Sequence, residues 1–151
     1  MKCWHDRIWN IWFNVELMGR EMSIKILYIE DNPQNMRLVR KILGAAGYHV
    51  IEAVDGESGF RALLESQPNI VLMDVNLPDI DGLELTQRIK SNPELASIPI
   101  IALTANAMHG DRERCLDAGC NGYIPKPVTK LNLLSTIASF LPVDQNSGSA
   151  V

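Results

Sequence analysis

This chain of 151 residues is poor in cysteine and has no long apolar run. Its three cysteines, Cys3, Cys115 and Cys120, form no Cys-x-x-Cys pair and leave one over. That argues against a disulfide framework and reads as small hydrophobes in a reducing cytoplasm. No stretch approaches the ~20 apolar residues that a membrane helix needs. Asp6, Arg7 and Glu16 interrupt the first segment, so it does not read as a signal peptide. Lysine and arginine nowhere cluster, and with a formal charge of -4 this argues against a nucleic-acid surface. His49 and His109 have no nearby Ser or Cys with a third partner, so no nucleophilic triad is supported. What is present is the composition of a soluble protein, 46% hydrophobic and 21% charged, at a length that suits one domain.

The organising stretch is Asn69-Ile-Val-Leu-Met-Asp-Val-Asn-Leu-Pro-Asp-Ile-Asp-Gly82. Ile70 to Met73 reads as a strand buried on both faces of a parallel sheet. It stops at Asp74, after which Pro78, Asp79, Asp81 and Gly82 impose a loop. Open α/β sheets place their chemistry at such strand ends, although Asp is also an ordinary turn residue there.

Around that strand the chain alternates. Ile24 to Ile29 is a strand ending in Glu30-Asp31, and Asn32-Pro33 starts a helix as N-cap and first helical position. Met36, Val39, Arg40 and Leu43 form the inner face of that helix, and Gly47 closes it. Tyr48 to Val54 is a second strand, followed by a helix with Phe60, Leu63 and Leu64 inward. After the central strand come a helix over Gly82 to Lys90, a strand from Ile98 to Leu103 ending at Thr104, and a helix from about Ala107 to Ala118. A short strand, Gly122 to Ile124, precedes Pro125-Lys126-Pro127, and a last helix over Lys130 to Phe140 presents Leu131, Leu134, Ile137 and Leu141. Five strands alternating with five helices predict a doubly wound α/β sheet with helices on both faces. The domain is set at 23–142, between an N-terminal extension over 1–22 and a polar tail over 143–151. In the extension, Trp4, Ile8, Ile11, Val15 and Met18 permit one apolar helical face that could dock on the domain or on a second copy. With Met22 as a natural start, the same segment would have no selected role. The protein is expected to be a monomer or a weak dimer.

Glu30, Asp31, Asp74, Thr104 and Lys126 all fall at carboxyl ends of strands and converge on one crevice. Three carboxylates repel one another unless a proton or a cation intervenes. A hard divalent ion, Mg²⁺, suits such oxygen ligands. Lys126 can neutralise further negative charge and Thr104 offers a hydroxyl donor. The constellation suits phosphoryl transfer onto a carboxylate.

Lys25-Ile-Leu-Tyr-Ile-Glu-Asp-Asn-Pro33, Ile70-Val-Leu-Met-Asp74 with Leu77-Pro78 and Asp81-Gly82, Ile101-Ala-Leu-Thr-Ala105 and Tyr123-Ile-Pro-Lys-Pro127 resemble the receiver domains of two-component response regulators. The resemblance spans about Ser23 to Leu141. It implies the flavodoxin-like fold, strand order 2-1-3-4-5. It also implies Asp74 as phosphoacceptor, loaded from a histidine kinase or histidine phosphotransfer protein. Mg²⁺ would be held by Glu30, Asp31 and Asp74 with the backbone carbonyl of Asn76, Glu30 acting through water because it replaces the more usual Asp. Lys126 and Thr104 would contact the phosphoryl oxygens and Tyr123 would be the aromatic switch. Asn76 and Asn106 would tune dephosphorylation, and the Lys126-Pro127 peptide is one that is often cis in the family. Asp79 and Asp81 are read as shaping the loop.

Other classes fit less well. A flavin-binding flavodoxin needs a Ser/Thr/Gly phosphate loop where this chain has Glu30-Asp31-Asn32, and a haloacid-dehalogenase-type phosphatase needs an acid where it has Asn76. A phosphorylation-independent pseudo-receiver usually lacks part of the residue set, which here is complete. With no room after Leu141 for a DNA-binding domain, output is expected through protein contact at the fourth helix, fifth strand and fifth helix, in a cytoplasmic single-domain regulator of a phosphorelay.

Overall fold

The computed structural model describes residues 23–106 and 110–141. Along them run β1 (Lys25–Ile29), α1 (Pro33–Ala45), β2 (His49–Ala53), α2 (Gly56–Ser66), β3 (Ile70–Asp74), α3 (Gly82–Lys90), β4 (Ile100–Thr104), α4 (Asp111–Ala118), β5 (Gly122–Pro125) and α5 (Lys130–Phe140). The strands make one parallel sheet in the order β2-β1-β3-β4-β5, the expected flavodoxin-like order. The chain runs outward from β1 to β2 and then returns past β1 to β3, so the direction reverses between β1 and β3. Ile29 pairs with Met73 across that junction, which brings the next residues, Glu30 and Asp74, side by side.

Local sequence explains the elements. Asn32 caps α1 by accepting from the amides of Gln34 and Asn35, and Pro33 fills the first helical position, where an amide would have no partner. Asp55 and Ser58 form a reciprocal capping box at α2. Strands β3 and β4 are buried along their whole length, as their unbroken apolar runs require. Alternate strand residues point to opposite faces, so the core divides in two. On one face Leu27, Ile29, Val71, Met73 and Ala102 pack with Leu63 of α2, Leu85 and Ile89 of α3 and Cys115 of α4. On the other, Ile26, Tyr28, Ile70, Leu72 and Ile101 pack with Met36, Val39 and Leu43 of α1 and Leu133 and Ile137 of α5. Each such fully buried aliphatic side chain contributes about 1.5–3 kcal/mol. Cys115 and Cys120 belong to this core, and burial pushes the Cys115 thiol up to about 12.

Several inner-face assignments need correction. Arg40 is exposed and pairs with Glu52 across the α1–β2 surface at 3.1 Å, because Val39 already fills the inward position. Leu64 and Leu131 are exposed, since Leu63 and the Leu133/Ile137 pair, one helical turn apart, face the sheet instead. Strand β4 begins at Ile100 rather than Ile98, and β2 is shorter by one residue at each end than expected. The described helix α4 starts at Asp111, after Gly110 in the left-handed conformation, and the expected start at Ala107 lies outside the described residues. So do Cys3, His109, the Trp-bearing segment of residues 1–21 and the tail over 143–151. Among the described residues no helix is long and apolar enough to cross a membrane.

Candidate functional site

At the carboxyl ends of β1, β3, β4 and β5 the sheet gathers the five residues that the sequence singled out. Ligand oxygens of Glu30, Asp31 and Asp74 lie within 4.8 Å of one another, with Glu30 and Asp74 buried and Asp31 exposed. Lys126 arrives from the end of β5 and places its Nζ 3.1 Å from Glu30 Oε2 and 3.2 Å from Asp74 Oδ2. The Lys126–Pro127 peptide bond is cis. The β4–β5 ladder fixes this corner, because the Lys126 amide donates to the Thr104 carbonyl at 2.8 Å.

The two buried carboxylates are not equivalent. Burial raises the Asp74 carboxyl and the charge of Glu30 adds to that, against the Asn76 amide that bonds Oδ1 at 3.1 Å; the outcome is a group titrating at about 6. Burial acts on Glu30 in the same sense, but the Asn32 amide and the Lys126 ammonium outweigh it and hold Glu30 below the usual carboxylate range. Burial would lower Lys126, yet Asp74 and Glu30 together leave its ammonium more firmly protonated than usual. The site thus brings together two buried carboxyl groups, one exposed carboxyl group and one cation. This donor set fits a hard divalent cation: all oxygen, open to solvent on the Asp31 side, and short of positive charge.

Two participants were not read from the sequence. Tyr28 lies wholly buried in β1 and donates its hydroxyl to Glu30 Oε2 at 2.9 Å. Burial, then the neighbouring Glu30 charge, keeps that phenol protonated. The signal was available, because residues two apart on a strand share a face. Glu30 thus already receives Tyr28 and Lys126 on one oxygen and the Asn32 amide on the other. The second is Asp111, which accepts the Thr104 hydroxyl at 2.6 Å and is gripped on its other oxygen by Arg114 at 3.0 Å. Nothing in the sequence marked this pairing across the β4–α4 loop.

The remaining residues take these places. Thr104 is buried at the end of β4 and its hydroxyl oxygen also accepts the Asn106 amide at 3.1 Å. Asn76 and Asn106 have exposed side chains at the rim. Tyr123 is half-buried on β5, and the Arg112 guanidinium stacks over its ring at 5.8 Å. Asp79 and Asp81 shape the loop after Asp74. Asp79 accepts from the Gly56 and Glu57 amides at the start of α2, and Asp81 caps α3 through the Leu83 amide. Gly82 lies against the backbone of Asp74 and Val75, and an added Cβ there would overlap the Asp74 carbonyl oxygen.

Comparison with known proteins places the chain in a family. Residues 26–138 match the family model described as the response regulator receiver domain. The chain is 41% identical over 120 residues to the polar-differentiation response regulator DivK of Brucella ovis, covering 80% of this chain and 98% of that protein. The receiver domain of the Pseudomonas aeruginosa sensor histidine kinase PA1611, solved with a magnesium ion in its active-site cleft, superposes with a TM-score of 0.73 at 38% identity, over 78% of this chain and 97% of that one. The chemotaxis response regulator CheY4 of Vibrio cholerae superposes with a TM-score of 0.75 at 25% identity, over 80% and 100% of the two chains.

Proposed function

The chain belongs to the response regulator receiver family, and on that premise we propose that it carries a phosphoryl signal on Asp74, accepted from a histidine kinase or a histidine phosphotransfer protein. The observation that carries this reading is the convergence of Glu30, Asp31 and Asp74 within 4.8 Å, with the Lys126 ammonium against two of them.

Asp74 is the only one of these carboxylates that is both buried and free of a full set of donors. Glu30 is saturated by Tyr28, Lys126 and the Asn32 amide, and Asp31 is exposed. In the transfer an Asp74 oxygen attacks phosphorus, the bond from phosphorus to the donor nitrogen breaks, and its electron pair leaves with the imidazole. Asp31 and Asp74 with the Asn76 carbonyl, and Glu30 through water, would hold Mg²⁺, which when bound supplies charge neutralisation for the incoming group. Lys126 lies between Glu30 and Asp74, so a small displacement of its ammonium would reach a phosphoryl oxygen. The Thr104 hydroxyl would donate to another once free of Asp111.

The functional unit is residues 23–142, flanked by 1–22 and 143–151. Tyr123 would serve as the aromatic switch and Asn76 and Asn106 as rate-tuning positions. The output surface would be α4, β5 and α5, offered to a protein partner in the cytoplasm by a monomer or weak dimer. The pseudo-receiver alternative has no favouring observation, because none of the residues that phosphorylation needs is missing. Intact mass after incubation with acetyl phosphate tests the reading. A phosphoryl adduct that needs Mg²⁺ and is absent from Asp74→Asn is expected; an adduct equally present in Asp74→Asn would refute it.

A further inference from the structure

The first turn of α4 holds two residues that touch the switch and a third that holds one of them. Asp111 accepts the Thr104 hydroxyl, Arg114 grips the other oxygen of Asp111, and Arg112 covers the Tyr123 ring. The Thr104 hydroxyl has one proton, and in this conformation it is spent on a carboxylate at 2.6 Å, a short charge-assisted bond. The same oxygen accepts the Asn106 amide, so the hydroxyl is held at both its donor and its acceptor side. Thr104 and Asp111 are 1% and 6% exposed, so water does not readily replace either partner. A phosphoryl group on Asp74 must therefore compete with Asp111 for that proton.

We propose that Asp111 is the positioning residue that latches Thr104 in the unphosphorylated state and conveys its release to α4. When Thr104 turns to the phosphoryl oxygens, the buried Asp111 carboxylate loses a donor. Arg114 still holds one oxygen, but a buried acceptor left without its donor on the other is costly, which drives α4 to a new position in which that oxygen regains a donor. Arg112, one residue on, moves with it relative to Tyr123. The switch residue on the sheet and the helix on the surface are in this way joined by one hydrogen bond. The latch lowers the population of the receptive conformation and so lowers apparent affinity for a phosphoryl group.

This inference rests on Asp74 being the phosphoacceptor, and its test separates the two. Beryllofluoride, a tetrahedral phosphoryl mimic, is titrated in excess Mg²⁺ into the full chain and followed by amide NMR shifts. Asp111→Asn exchanges a charged acceptor for a neutral one and is expected to tighten beryllofluoride binding about tenfold. In a Thr104→Val background, where there is no hydroxyl to hold, the same substitution should change binding less than about twofold. Arg114→Gln leaves Asp111 more dependent on Thr104 and should weaken binding, the opposite sign, which keeps the test decisive if Asp111→Asn folds poorly. Mg²⁺ affinity should be equal in all these variants. Wild type that binds with no gain in Asp111→Asn, or a gain that persists in Thr104→Val, overturns the latch alone. Tighter binding in Arg114→Gln likewise overturns it. Wild type that never binds beryllofluoride removes the Asp74 reading and the latch together.

Discussion

Lys126 Nζ stands 3.2 Å from Asp74 Oδ2, although their strands, β5 and β3, are separated in the sheet by β4. The same ammonium is 3.1 Å from Glu30 Oε2, so one cation serves two carboxylates whose side chains are 1% and 5% exposed. Such a triad is stable only while its charges are matched, which makes it sensitive both to mutation and to an added cation.

Removing the ammonium exposes that dependence. Lys126→Met should lower metal-free stability at pH 7.5 by about 1–3 kcal/mol, the cost of leaving a buried acceptor without its donor. Millimolar Mg²⁺ should restore part of it, because the ion replaces the lost positive charge. Urea denaturation with and without Mg²⁺ checks both halves. Loading by acetyl phosphate should slow about 10²-fold, as for loss of one preorganised cationic contact.

The raised Asp74 carboxyl sets a pH dependence with a definite sign. Its folded value of about 6 lies above the ordinary 3.8, so between these values the folded protein holds a proton that the unfolded chain has released. This group therefore stabilises the metal-free fold below the lower value and withdraws that support as pH rises through about 6. Mg²⁺ needs the ionised form, so its apparent affinity should fall about tenfold per pH unit below that point and level off above it. Mg²⁺ titrations from pH 5 to 8 measure this, and Asp74→Asn should flatten the profile.

Gly82 tests how rigidly the acceptor is held. The Gly82 amide donates to the Val75 carbonyl at 2.8 Å while its Cα lies against the Asp74 backbone. Gly82→Ala should cost about 1–3 kcal/mol by overpacking. Its expected signature beyond lower stability is slower phosphoryl loading in protein that remains folded, since the shift falls on Asp74 itself. Gly44→Ala, where no atom lies within 4 Å of the added carbon, is the control expected to leave loading unchanged.

The fold and most of the site were legible because they depend on local signals. Apolar runs ending in Glu30-Asp31, Asp74 and Thr104 mark strands and their carboxyl ends, and the Asn32-Pro33 pair marks where α1 starts. Strand register then brings Glu30 beside Asp74 without further information. Helix facing was read less well where apolar residues stand on both sides. Leu131 is apolar but 78% exposed, and only packing of Leu133 against the sheet decides the rotation of α5. Tyr28 was missed because a strand tyrosine between isoleucines and leucines reads as core, and its hydroxyl acquires meaning only from Glu30. Asp111 was beyond reach, since neither residue spacing nor composition says that its side chain meets Thr104.

The central claim is that Asp74 carries the phosphoryl group, and its direct test is location of the label. After acetyl phosphate treatment in Mg²⁺, borohydride reduction converts an acyl phosphate into the corresponding alcohol, which peptide mass mapping can place. The account predicts the reduced side chain at position 74 alone, dependent on Mg²⁺. Reduction at Glu30 or Asp31 instead, or labelling that is indifferent to Mg²⁺, would contradict it.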